Sequence, residues 1–117
     1  MMVTFELDGQ KFMALNGGPH FKFNEAFSLY VNCETQKEVD FYWEKLSKGG
    51  KKSQCGWLKD KFGLSWQIIP SALAKYMSGP DPVRSQRVMQ AMLKMKKMNI
   101  KGLEKAFENK QPLNSIP

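Results

Sequence analysis

The chain reads as an α+β protein of a single small domain, and three observations predict this class. An Asp8-Gly9 pair separates two short apolar runs, which is a hairpin signal. Strict alternation recurs in Phe27 to Cys33 and in Leu64 to Ile69, as half-buried strands require. Between and after those strands the apolar spacing changes to the i, i+3, i+4, i+7 of helices.

Val3, Phe5 and Leu7 alternate up to Asp8-Gly9, and the run Phe12 to Leu15 follows, so the first element is a β-hairpin. Asn16-Gly17-Gly18-Pro19 then breaks the sheet and opens a loop. The next strand, Phe27 to Cys33, carries Phe27, Leu29 and Val31 on one face and Ser28, Tyr30 and Asn32 on the other. Thr35 and Glu38 have capping-box spacing, which starts a helix with the stripe Val39, Tyr42, Trp43, Leu46. Gly49-Gly50 stops it. A strand through Ser53 to Leu58, a tight turn at Asp60 to Gly63 and a strand through Leu64 to Ile69 complete the β part. After Pro70, Ser71 to Met77 is predicted helical, and Ser78-Gly79-Pro80 interrupts it. Asp81 and Pro82 then supply a cap and first residue for a helix to about Lys97, with Val88, Met89, Met92, Met95 and Met98 as an apolar stripe. Asn99 caps a short helix from Ile100 to about Glu108, lined by Leu103 and Phe107, and the tail beyond it has no periodic signal.

With 117 residues, 42% apolar and 25% charged, the chain has material for one core. No apolar run reaches membrane-spanning length, and the start lacks the order of a signal peptide, so a cytoplasmic protein with no membrane partner is expected. Cys33 and Cys55 match no zinc spacing and are expected to be reduced, with Cys33 a buried strand residue. The net charge of +7 is uneven, because residues 75 to 110 hold nine Lys or Arg against Asp81, Glu104 and Glu108. Such a basic appendage is either a solvated helix face or a patch for nucleic acid. No GxGxxG, P-loop or Ser/His/Asp order is present.

The segments Gly17 to Thr35 and Asp60 to Pro70 resemble a PhnB-like protein, in the demethylubiquinone methyltransferase-like branch of the glyoxalase/bleomycin-resistance (vicinal oxygen chelate) superfamily. The order from Phe27 to Ile69 looks like one βαβββ module, with a compressed version of its middle strands between Gly50 and Asp60. The hairpin Val3 to Leu15 looks like the end of a preceding module, and the helical extension is typical of that branch. The resemblance thus implies residues 1–70 as a partial glyoxalase-like domain and residues 71–117 as its C-terminal helical extension. It also implies that the first strand, helix and strand of the usual fold are absent. A partial sheet exposes unpaired backbone and an apolar face, so completion by homodimerisation is expected, an exchange of strands between copies being one form of it.

Superfamily enzymes hold a divalent metal with His and Glu side chains from the sheet. By resemblance, the module-ending glutamate falls at Gln67, the usual histidine position reads Glu25-Ala26-Phe27, and the other glutamate position lies near Ala14 or Asn16. A neutral amide is a weak ligand for a divalent cation, so no metal site and no cofactor are expected, a divalent metal being the alternative. His20, the single histidine, and Glu25 are the candidate catalytic residues, as a carboxylate and histidine in one loop; the plain reading is a loop histidine satisfied by backbone or water. The aromatics Phe21, Phe23, Trp57, Phe62 and Trp66 are candidate cavity walls, and Asn16, Ser28, Tyr30, Trp57, Trp66 and Gln67 the candidate ligand-binding set. The expected function is small-molecule binding in a sheet-lined cavity. The alternatives are an active metal-dependent lyase, dioxygenase or methyltransferase of the superfamily, and a nucleic-acid-binding module built on the basic helices. The methyltransferase label would require a methyl donor, for which the sequence offers no glycine-rich loop.

Overall fold

The computed structural model describes residues 1–109. In chain order these form β1 (Met2–Leu7), β2 (Gln10–Leu15), β3 (Ser28–Cys33), α1 (Gln36–Ser47), β4 (Lys51–Lys52), β5 (Trp57–Lys59), β6 (Ser65–Pro70), α2 (Ser71–Met77), α3 (Pro82–Leu93) and α4 (Ile100–Glu108). The class is α+β, with two sheets and four helices among the described residues. No described helix is long and apolar enough to cross a membrane. The tail read as aperiodic lies outside the described residues.

Strands β1 and β2 pair antiparallel from Met2↔Leu15 to Leu7↔Gln10. Asp8 and Gly9 both have positive φ, the type I′ geometry whose twist matches that of the strands it joins. This register puts Val3, Phe5, Leu7, Phe12 and Ala14 on one face, where Phe5 and Phe12 stack with centroids 5.6 Å apart. That face is uncovered: every residue of the hairpin is exposed except the half-buried Phe12. The hairpin forms its own two-stranded sheet and projects as an arm. A compact domain of this size has a radius of gyration of about 13 Å, whereas this chain measures 17.0 Å and 56 Å along its longest axis.

The second sheet has the order β3-β6-β5-β4, and β3-α1-β4-β5-β6 is one βαβββ module. The central strand β6 runs parallel to β3 and antiparallel to β5. Its alternation sends Trp66 and Ile68 to the face that α1 covers, where they meet Val39 and Trp43. Burying each aliphatic side chain such as Leu58, Ile68 or Leu103 contributes roughly 1.5–3 kcal/mol. Helix α1 starts as expected, with Thr35 Oγ1 accepting from Glu38 N at 3.2 Å. Glu38 reaches back one residue further than a capping box requires, accepting from Glu34 N at 3.2 Å.

Three boundaries differ from the sequence reading. The strand expected over Ser53 to Leu58 is instead a hairpin, because Cys55 and Gly56 both have positive φ and Trp57 N donates to Gln54 O at 3.1 Å. The helix expected to reach Lys97 ends at Leu93. The following segment is recruited by that hairpin, with Cys55 N donating to Met95 O and Gly56 N to Lys96 O, each at 2.8 Å. Met98, placed on the helical stripe by spacing, therefore drops into the core as a fully buried residue after the helix. Phe27 lies just outside β3 and is exposed.

Two polar side chains fasten the helical layer. Gln36 Nε2 donates to Met98 O at 2.9 Å while its Oε1 accepts from Ile100 N at 2.7 Å. Arg87, buried, donates to Ala106 O at 2.9 Å and Phe107 O at 3.0 Å, and so closes the C-terminal end of α4. Lys97 pairs with Asp40 at 3.0 Å and Arg84 with Asp81 at 3.6 Å, so part of the C-terminal positive charge is spent internally.

Gly56 sits where no other residue fits. A Cβ there would come within 2.8 Å of Ile68 O and Ile69 Cδ1, at a φ of +81°. Gly56→Ala is therefore expected to destabilise the fold by about 2 kcal/mol or more in urea unfolding, and an unchanged midpoint would refute this packing. The two thiols are also expected to behave differently. Burial, with smaller contributions from Glu38 and Glu34, pushes the Cys33 thiol up to about 11, whereas Cys55 is half-buried at its turn. Alkylation at pH 8 followed by mass spectrometry should modify Cys55 in the native protein and Cys33 only after denaturation.

Candidate functional site

The face of the main sheet opposite α1 is polar apart from Ile69, which is buried at the end of β6. Register and alternation place Ser28 and Tyr30 from β3, Ser65 and Gln67 from β6, Trp57 and Lys59 from β5, and Lys51 from β4 on it. Tyr30 is 58% exposed in a strand whose Leu29 and Val31 are half-buried, as the alternation requires. Gln67 Nε2 donates to Ser28 Oγ at 3.0 Å.

Ser65 is 1% exposed, and its hydroxyl is the one buried side-chain polar atom without a hydrogen-bond partner among the described residues. Leaving such a group unpaired costs about 1–3 kcal/mol. It stands in the wall of a cleft of about 440 Å³ whose other walls include Glu25, Lys51, Gln54, Cys55, Trp57 and Lys59. The Glu25 carboxylate forms an ion pair with Lys59, and the hydrogen bond from Lys59 holds it below the usual glutamate range. A larger and more open depression of about 690 Å³ lies beside α4 between Met95, Gly102 and Lys105. There the Asn99 side chain is already occupied in accepting from Gly102 N at 2.8 Å.

The candidate ligand-binding residues divide accordingly. Ser28, Tyr30, Trp57 and Gln67 share the open face, but Trp66 lies on the other one. Its Nε1 donates to Asp60 Oδ2 at 2.9 Å, and its ring packs against the core. The same Asp60 accepts from Phe62 N and Leu64 N through Oδ1, so one carboxylate holds the turn into β6 together. Asn16 is at the base of the arm, donating its amide to Met1 O at 3.0 Å. Phe21, Phe23 and Phe62 are exposed rather than gathered into a wall. Glu25 is joined to Lys59 and not to His20, which makes no hydrogen bond or ion pair among the described residues.

Lys51, Lys59, Ser65 and Cys55 are members of the cleft that sequence reasoning missed. Alternation already placed Ser65 beside Gln67, but its burial could not be read from it. The approach of Lys51 to Lys59 depends on the hairpin that replaced the expected straight strand.

The polar groups of the open face and its cleft are hydroxyls, a phenol, an amide already bonded to Ser28, two ammonium groups and one carboxylate, Glu25, already paired with Lys59. Such a set does not fit a divalent cation, which takes carboxylates, carbonyls or neutral imidazoles. Among the described residues no three of His, Cys, Asp and Glu converge.

The comparisons with known proteins bear on the fold that carries this cleft. The sequence profile of the 3-demethylubiquinone-9 3-methyltransferase family matches residues 1–69, more than half of the chain. Among solved structures, the chain is similar to a PhnB protein from Bacillus cereus provisionally named a 3-demethylubiquinone-9 3-methyltransferase. The two are 37% identical with a TM-score of 0.57, over 61% of this chain and 64% of that one. The chain thus spans less than two thirds of that protein's length. No curated protein matches. The family profile stops at Ile69, short of the helical extension that the sequence resemblance was expected to include. From the arm through the βαβββ module, the chain belongs to the PhnB-like 3-demethylubiquinone-9 3-methyltransferase family, which has a glyoxalase-like fold.

Proposed function

We propose that this protein binds a small molecule in the cleft on the open face of its sheet, and that it does so as a cytoplasmic homodimer. The observation that carries the binding reading is the buried, unpartnered Ser65 hydroxyl beside an indole and charged side chains in a cleft of about 440 Å³. Ligand sites combine an apolar wall with a few convergent polar groups at about this volume. Two free thiols fit a reducing compartment. The proposal stops at binding, since the sequence offers no glycine-rich loop for a methyl donor and the donor set does not suit a metal.

The homodimer rests on the arm. A lone two-stranded hairpin is marginal in water, and this one leaves Val3, Phe5 and Leu7 exposed beside a half-buried Phe12. Among the described residues the outer edge of β3 has no strand beside it, so each copy has both an uncovered hairpin and an unpaired edge. An isologous pairing satisfies both at once, because whatever one copy's arm does for its partner is returned by symmetry.

A thermal-shift screen of small metabolites against the full chain should find compounds that raise Tm, with the shift abolished in Trp57→Ala. A hit that Trp57→Ala retains places the site elsewhere. Sedimentation at micromolar concentration should give twice the chain mass of 13.4 kDa, and Phe5→Asp should reduce it to a monomer. A folded wild-type monomer would refute the dimer, and association only with a different protein would assign the arm to that partner instead.

A further inference from the structure

The cleft carries a charge arrangement that names its ligand class. Lys51 and Lys59 are direct cross-strand partners on one face of β4 and β5. Like charges in that position destabilise the pairing, and an anion between or beside them relieves the repulsion. Glu25, from the segment before β3, pairs with Lys59 and leaves the Lys51 ammonium without a carboxylate partner among the described residues. Two cations therefore face one anion at the mouth of the cleft, with the Ser65 hydroxyl unpaired in its wall.

The Glu25–Lys59 pair is also easy to open. Both side chains are substantially exposed, at 64% and 40%, and exposed ion pairs are weak. Resting on the small-molecule reading above, we infer that the Lys51–Lys59 pair is the seat for the carboxylate of a small organic acid, and that Glu25 occupies this seat until the ligand displaces it. The incoming carboxylate accepts hydrogen bonds from both ammonium groups. Movement of Glu25 away from Lys59 opens the approach to Ser65, whose hydroxyl donates to the same carboxylate. The ligand's flat apolar part lies against Trp57. No bond is made or broken in this exchange; one carboxylate replaces another.

The test is calorimetric titration of the full chain with benzoate and with benzamide, its neutral counterpart. Benzoate should bind more tightly, and Glu25→Gln should tighten benzoate by about two- to fivefold, the scale of one exposed ion pair, without changing benzamide. Lys59→Met should weaken benzoate at least tenfold. Glu44→Gln removes a carboxylate that pairs with Lys52 at 3.2 Å outside the cleft, and it should leave benzoate unchanged. Equal affinity for the two probes would overturn the anion seat while leaving small-molecule binding in the cleft intact. A benzoate affinity that Glu44→Gln raises as much as Glu25→Gln would reduce the effect to net charge and overturn the displacement. Absence of benzoate binding even to Glu25→Gln would overturn the inference outright, whereas the cleft reading stands or falls on the metabolite screen.

Discussion

The structure depends on one constraint, the pleat of the central sheet: helix α1 covers one face, and the opposite face is polar except where Ile69 joins the core. Strand β6 imposes it, since hydrogen bonding to β3 on one side and β5 on the other fixes its pleat. With the pleat fixed, Trp66 and Ile68 must go to helix α1, and Ser65, Gln67 and the buried Ile69 must go to the opposite side. A shift of one residue would exchange the two sets and put the amide and hydroxyl into the core, so the burial of Ile68 and the polarity of the cleft are one fact.

The same constraint explains the C-terminal helices. They pack with α1 into a continuous core that includes Val88, Met98 and Leu103, and that core takes in Ile69, which alternation puts at the end of β6 on the same face as Ser65 and Gln67. Backbone donors at Cys55 and Gly56 and the Gln36 amide set their position. Beyond Ile69 that face leaves Tyr30 exposed and Ser28 and Gln67 half-buried, with Ser65 buried in the cleft wall, and the β1–β2 arm stands apart with its apolar face uncovered. Cleft and arm are both incomplete within one chain, and the proposed ligand and second copy are what would complete them.

Much of this was legible in the sequence, for identifiable reasons. Asp8-Gly9 specifies its turn locally, and the cap residues Thr35, Asp81 and Asn99 each accept the amide bonds that their spacing predicts. The period-2 pattern gave the faces of β3 and β6 correctly, including Ser28, Tyr30 and Gln67. What failed was non-local. Nothing within Ser53 to Leu58 reveals that Gly56 must lie against Ile68 and Ile69, and nothing within Lys94 to Met98 reveals that two of its carbonyls are claimed from forty residues away. Trp66 is a candidate cavity wall by its aromatic type, yet its indole serves the Asp60 turn. Glu25 was sought as a partner of His20, its neighbour in sequence, and was found with Lys59, its neighbour across the sheet.

The central claim is that the arm is held by another copy and not by its own chain. Amide hydrogen exchange across a dilution series tests it most directly, because the β1–β2 amides report the arm while the β6 amides report the body of the same molecule. The account predicts that protection of β1 and β2 falls as protein concentration falls, while that of β6 persists. Protection of the arm that equals that of β6 and does not change with dilution would contradict it.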